Sequence, residues 1–395
     1  MIRALPGAAL TVACLTALAL GLTSCSSSSS PTTGPTTPAS TTPAAATFPA
    51  DVVAQIDRDA QASLTGGITG TVVSIVDPVR GTFLKAYGTA DTAGTPMTTD
   101  VHYRIASVSK TFTADAVLQL VGQGRLSLDA PLAQFVPDIP NGNAITVRDL
   151  LGMRGGVYDF TADADFDRRY EADPTLPGWT PQDVLALIRA NPGKAKPPNT
   201  STVYSNSEYV LLGQILEKVT GKPAAEALDG VAGSLGLPQT SWPVGDDLPA
   251  PFTRGYLSTV DGTTPPPYRD GTLSNPLVPD TAGALVSTVP DMTRYAPLLA
   301  TGAGLPPAVA AQRQAWTPLT TSGVRVQYGL GITQLGDWVG HDGSIIGYSD
   351  MVFYLPSARA TVVVMVNAAD GNAVPSQALW GQIVKLLYPT SLPSW

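Results

Sequence analysis

Cysteine is almost missing from this chain. Its two cysteines, Cys14 and Cys25, both fall within the first 25 of 395 residues, so the rest of the chain has no disulfide and no thiolate metal site. Histidine is equally scarce. His102 and His341 are the only two, too few for a histidine metal centre, and no metal or cofactor is expected. No G-x-S-x-G occurs, which excludes the strand-to-helix nucleophile elbow of the Ser-His-Asp hydrolases. Basic residues are few as well: Lys and Arg total 23 against 31 Asp and Glu, for a net charge of −8. That balance offers no basic face for nucleic acid. No internal repeat stands out. What is plentiful is apolar side chain, 44% of the sequence, enough for a large core or two lobes.

The chain opens with a targeting segment. After Arg3, residues 4 to 22 carry no charge, and the stretch ends Leu22-Thr23-Ser24-Cys25. This resembles a bacterial lipobox, with 1–24 as the signal peptide and Cys25 as the lipidated first residue. An uncleaved anchor helix is the alternative, because the run approaches the ~20 residues that span a bilayer. Pro6, Gly7 and the many alanines weigh against it. Either version predicts export and attachment to the outer face of the cytoplasmic membrane. Residues 25–47 are rich in Ser, Thr, Pro and Ala and have no charge. Such a segment buries too little to fold and reads as a tether. The globular domain is expected over 48–390.

The folded part is organised around Ser107 to Gly122, SVSKTFTADAVLQLVG. Its apolar residues recur at helical spacing over a face wide enough for burial between two layers. Gly122 and Gly124 close it. The unusual residue is Lys110. A helix start favours Glu or Gln at this place in a capping box, and a cation opposes the positive helix end. Three residues apart, Ser107 and Lys110 share a face. A partly desolvated lysine there loses proton affinity and can take the serine proton. Alone, an S-x-x-K match in a serine-rich chain is no more than chance provides.

Strand patterns lie at the two ends. Gly70–Asp77 and Gly81–Tyr87 read as a hairpin, and strand signals return over 324–332, 351–355 and 360–367. A short strand is expected over 101–105. Helices or helical turns are expected over 51–64, 126–136, 147–153, 181–190, 209–220, 292–300 and 374–387. The expected class is therefore α/β (α+β): an antiparallel sheet built from N- and C-terminal segments with flanking helices, and an inserted, mostly helical lobe over about 125–320. Ligand sites favour such lobe junctions.

Two further motifs occur once each: Tyr204-Ser205-Asn206, a Y-x-N before a helix, and His341-Asp342-Gly343, an H-x-G in a strand-like stretch. S-x-x-K, Y-x-N and H-x-G in this order resemble the serine β-lactamase and DD-peptidase superfamily, in its class C β-lactamase, DD-carboxypeptidase and esterase branch. The stretches HYRIASVSKTFTA, YSNSEYVLLGQILEKVTG and GHDGSIIGYSD are similar to it too. The resemblance covers about 53–387 and implies a β-lactamase/transpeptidase-like fold with an acyl-enzyme on Ser107. It implies Lys110 as proton acceptor and Tyr204 as the phenol that passes a proton to the leaving group. It further implies that Asn206 orients Lys110 and binds substrate, that His341 lines the pocket, that Gly343 admits substrate to the strand, and that the Ser344 N–H pairs with that of Ser107 as an oxyanion hole. Departures are Met153-Arg154-Gly155-Gly156 where relatives read H-T-S-G, and the missing arginine before H-x-G that would clamp a substrate carboxylate. Arg154 or Arg325 is the candidate replacement. Substrates in view are a small acyl ester, a D-Ala peptide or a β-lactam. A non-catalytic binding or sensor module that kept the pocket is the rival from another class. His102 has no motif and is expected to be structural.

Overall fold

Val362 to Val366 is apolar on both faces, and a strand of that kind belongs in the middle of a sheet covered on both sides. The computed structural model, which describes residues 47–65, 67–257, 269–320, 326–369 and 374–392, places it there. The expected signal peptide, nearly all of the expected tether with Cys25, and Arg325 lie outside the described residues.

From the N-terminus the elements are α1 (Ala50–Ala62), the hairpin β1 (Gly70–Asp77) and β2 (Gly81–Gly88), β3 (His102–Arg104) and α2 (Ser109–Gly122). The inserted region then contributes α3 (Val147–Leu151), α4 (Ala164–Ala172), α5 (Pro181–Ala190), α6 (Asn206–Thr220) and α7 (Ala224–Ser234). The short strands β4 (Tyr256–Leu257), β5 (Arg269–Asp270) and β6 (Val286–Thr288) lead to α8 (Val289–Thr301) and α9 (Pro307–Arg313). The chain closes with β7 (Thr317–Pro318), β8 (Val326–Tyr328), β9 (Thr333–Leu335), β10 (Trp338–Ile345), β11 (Tyr348–Leu355), β12 (Ala360–Val366) and α10 (Ser376–Leu387).

The two chain ends meet in one eight-stranded antiparallel sheet of order β2-β1-β12-β11-β10-β9-β8-β7. Alternation along β12 divides the core in two. Val362, Val364 and Val366 face α1 and α10 with Trp380 and Ile383, while Val363 and Met365 face the larger core that holds α2 and α8. Helix α2 is buried nearly all round, Lys110 and Asp115 included. Its Asp115 is fully enclosed with Arg313 from α9, and the Tyr295 hydroxyl lies within hydrogen-bond distance of both Asp115 Oδ2, at 3.0 Å, and Thr111 Oγ1, at 2.7 Å.

Three departures from expectation have local causes. The helical turns expected over 126–136 reduce to a 3-10 turn, Leu132–Gln134. Their backbone N–H groups instead bond the facing segment, Leu132 to Ile145 O and Ala133 to Gly142 O. The short strand before α2 pairs with β6, from the far side of the inserted lobe. Helix α4 was not expected; it buries only Phe166, and Asp163 caps it by accepting from the N–H groups of Asp165 and Phe166. Arg104 and His102 bond backbone carbonyls, the latter through Nδ1 to Pro251 O at 2.9 Å.

Candidate active site

The chain leaves β3 and turns sharply before α2 begins. Ala106, at φ +44°, is held in the left-handed region that costs a non-glycine residue about 1–3 kcal/mol. A 3-10 turn over Ala106–Val108 follows, so Ser107 stands just ahead of the α-helix and not within its first turn. The cost is imposed by packing. An added Cβ on Gly343 would meet Ile105 O at 2.6 Å and Ala106 Cβ at 3.2 Å. Gly343 therefore lets β10 press against the serine turn. The contact gives this glycine a structural role beside the one expected of it, access for substrate.

Lys110 reaches back from the first turn of α2. Its Nζ lies 3.0 Å from Ser107 Oγ, 2.8 Å from Asn206 Oδ1 and 2.8 Å from Ala282 O. Burial pulls the ammonium down to about 7, against Asp159 and Asp342, which pull it up. A neutral amine has two N–H bonds and one lone pair. Asn206 Oδ1 and Ala282 O can only accept, so they take both N–H groups and leave the lone pair aimed at Ser107. That is the geometry of a base for the serine hydroxyl.

Tyr204 completes the group. Its phenol hydrogen-bonds the Ser107 hydroxyl, and burial raises it well above the ordinary tyrosine range. The Lys110 ammonium sits 4.8 Å from the ring centroid. At neutral pH Tyr204 is thus a neutral phenol, suited to giving a proton, while Lys110 is suited to taking one.

Asn206 opens α6, and its amide faces two ways. Oδ1 accepts from Lys110, and Nδ2 donates to Asp159 Oδ2 and Thr161 Oγ1, each at 3.3 Å. Asp159 was not singled out in the sequence. Its only local signal is an N-cap, accepting from Thr161 N–H at 3.2 Å. The Met153-to-Gly156 turn is held to α6 by Glu208, which accepts from the N–H groups of Gly155, Gly156 and Val157. A Cβ on Gly155 would lie 2.9 Å from Glu208 Oε1. Glu208 is fully enclosed, and burial raises its carboxyl well above the usual range.

His341 stands behind the cavity wall, not on it, and this corrects its expected place. It is 1% exposed. Nδ1 lies 2.6 Å from Asp342 O and Nε2 lies 3.2 Å from the Tyr328 hydroxyl. A carbonyl only accepts, so Nδ1 carries the proton and Nε2 accepts from Tyr328. Burial lowers His341 below its ordinary range, and it is neutral at pH 7. The side chain that does face the cavity is Asp342, 43% exposed.

Ser107, Tyr204, Asn206 and Ser344 line one cavity of about 480 Å³. Four carboxylates line it too: Asp159, Asp167, Glu171 and Asp342. No arginine or lysine among the described residues lies along it. Arg154 is turned away, with Nε bonded to Asn199 Oδ1 at 3.0 Å. Among the described residues there is no cluster of metal-ligating side chains.

Comparison with known proteins gives the family and the fold. The family model described as Beta-lactamase matches residues 51–383. The chain is 31% identical to an esterase, EstB, of Burkholderia gladioli, over 56% of each chain. It is 29% identical to a D-aminopeptidase of Cereibacter sphaeroides, covering 82% of this chain and 62% of that one. Among solved structures, a D-stereospecific amidohydrolase from a Streptomyces species superposes with a TM-score of 0.74 at 27% identity, covering 85% of this chain and 99% of that one. The chain therefore spans little more than half the length of the curated relatives it matches.

Proposed function

The chain belongs to the beta-lactamase family, and from that premise we propose that it is a serine hydrolase forming an acyl-enzyme on Ser107. Neutral Lys110 takes the Ser107 proton as Oγ attacks the carbonyl carbon of an ester or amide. The bond to the leaving alcohol or amine then breaks, and that group takes a proton from the Tyr204 phenol. Water then adds its oxygen to the acyl carbon as the bond to Ser107 Oγ breaks. Ser107 takes one water proton, the acid leaves with the other, and the proton held by Lys110 passes to Tyr204, so all three groups regain their starting state. The carrying observation is the lone pair of Lys110, left for Ser107 by two carbonyl acceptors.

The preferred substrate is a small ester or amide without a free terminal carboxylate. An unpaired carboxylate entering a partly desolvated cleft costs several kcal/mol. The usual partner, an arginine fork, has no counterpart among the described cavity residues, and four carboxylates stand there instead. Neutral acyl donors, and donors bearing an ammonium group, suit this wall. The names of the aminopeptidase and amidohydrolase relatives point the same way. D-Ala-D-Ala carboxypeptidase and β-lactamase are the competing activities, and a non-catalytic binding module is the rival class. The intact Ser107–Lys110–Tyr204 contacts favour catalysis.

The test exposes the protein to a fluorophosphonate, a penicillin and a D-Ala-D-Ala peptide, reading the mass of Ser107, and compares kcat/KM for neutral, ammonium-bearing and carboxylate-bearing substrates. Fluorophosphonate labelling that vanishes in Ser107→Ala, with turnover down by about 10⁶, is expected. Efficient carboxypeptidase turnover at pH 7.5 overturns the substrate class, and Arg325 is then the first clamp to test. Absence of any acyl adduct overturns the activity. We further propose export as a lipoprotein tethered through Cys25, supported by the LTSC sequence and the segment that follows it.

A further inference from the structure

The Asn206 amide is nearly symmetric in shape, and a half-turn about its last bond exchanges oxygen for NH₂. The two orientations do not serve catalysis equally. With Oδ1 towards Lys110, the amine donates to Asn206 and Ala282 and keeps its lone pair for Ser107. With NH₂ towards Lys110, the amide donor takes that lone pair, and no acceptor remains for the serine proton. Lys110 and Ala282 O do not by themselves exclude the second orientation. What excludes it lies on the other side of the amide: Asp159 Oδ2 and Thr161 Oγ1, both 3.3 Å from Nδ2. A hydroxyl can donate or accept and tolerates either orientation. A carboxylate oxygen only accepts. Asp159 is in turn fixed by the Thr161 N–H through its other oxygen.

We propose that Asp159 is a positioning residue that locks the Asn206 amide with its oxygen towards Lys110, keeping the lysine lone pair on Ser107. The proposal rests on the acyl-enzyme reading of Ser107. It gives the carboxylate at the start of the 3-10 turn Phe160–Ala162 a task distinct from substrate contact. It also gives Asp159 a second influence on Lys110, through charge. The groups facing Lys110 are Tyr204 and Tyr209 from the ring side, Asp159 from the turn before α4, and Asp342 and His341 from β10. Asp159 and Asp342 are the two that favour its protonated form.

The rate of fluorophosphonate labelling of Ser107 against pH tests this without a known substrate. Asp159→Ala is expected to slow labelling about 10- to 100-fold, the range that misplaced catalytic groups produce. It is also expected to move the acid limb to lower pH, because Lys110 then loses its proton more easily. Asp159→Asn, which keeps the shape and one acceptor, is the second variant should Asp159→Ala fold poorly. It shows the same shift of the acid limb with a smaller loss of rate. On an Asn206→Ala background, Asp159→Ala is expected to change the rate on the high-pH plateau less than about 3-fold, since its positioning route runs through the missing amide, while the acid limb still moves to lower pH. An unchanged labelling rate and limb in Asp159→Ala overturns the proposal and leaves the hydrolase reading standing, as does a full additive loss on the Asn206→Ala background. Failure of the wild-type chain to label overturns both.

Discussion

Gly343 and Ile105 approach so closely that a single methyl group on the glycine would lie 2.6 Å from the Ile105 carbonyl oxygen. The contact fixes how β10 meets the turn carrying Ser107. Gly343→Ala is expected to push the strand and the turn apart and to lower kcat about 100-fold, the cost of an ångström of misplacement at a reacting centre. Circular dichroism and Ser107 labelling on the same sample separate this from unfolding. Retention of more than a third of the rate would show that the contact is not needed.

Lys110 and Tyr204 differ in the direction of their shifts, and the pH profile follows. The amine must be neutral to act, so kcat/KM is expected to rise with pH through about 7. Lys110→Arg cannot supply a neutral form and should lose the rising limb with the activity. Tyr204→Phe removes the phenol proton. If the two act as one relay, the double variant is little slower than either single one. Multiplying losses would assign them independent roles.

The enclosed pair of Asp115 and Arg313, 3% and 1% exposed, anchors α2 to α9 behind the serine. Arg313→Met leaves the Asp115 charge without its partner and is expected to cost about 3–5 kcal/mol. Replacing both with apolar residues recovers most of that stability. Thermal unfolding of the single and double variants measures it, and equal losses in both would mean that packing, not charge, is at work.

The motif positions could be read from the sequence because each is a short local pattern: serine and lysine three apart before a wide apolar run, Y-x-N before a helix, H-x-G in a strand. The hairpin and β12 were legible for the same reason, since their alternation and β-branching are local. What lay hidden depends on partners far along the chain. Asp159 precedes Asn206 by a whole helical region, and locally it is only the cap of a short turn. His341 and Asp342 are neighbours, and only the pairing of β10 with β9 and β11 decides which of them faces the cavity. The 126–136 stretch has a helix-like apolar spacing, yet its backbone bonds go elsewhere. Helix α4 has one buried residue and so almost no apolar stripe to read.

Lipidation predicts a simple fractionation result. Cys25→Ala is expected to move the chain from the membrane pellet to the soluble fraction of the exported protein or to block its maturation in a form that carries no lipid. Metabolic labelling with a fatty acid distinguishes these from an anchor helix: a lipoprotein takes up label in the wild-type chain and loses it in Cys25→Ala, whereas an anchor helix takes up none in either.

Glu208, clasped by three N–H groups, belongs to a set of enclosed carboxyls with consequences for folding as well as geometry. Glu208 and Asp350 are held well above the carboxylate range, and Asp280 is raised to about 7. Unfolding returns each to an ordinary carboxyl near 4. Between pH 4 and 7 the native chain therefore binds more protons than the unfolded one at these sites, and their contribution to stability falls as pH rises. His341, lowered by burial, opposes that trend, but it is one group against three. Lys110 is protonated in both states over most of this interval and is nearly silent. The native state thus tightens as pH falls away from neutrality, while the serine gains its proton acceptor as pH rises. A Tm maximum on the acidic side of the activity maximum is the expected result, and thermal unfolding followed against pH checks it.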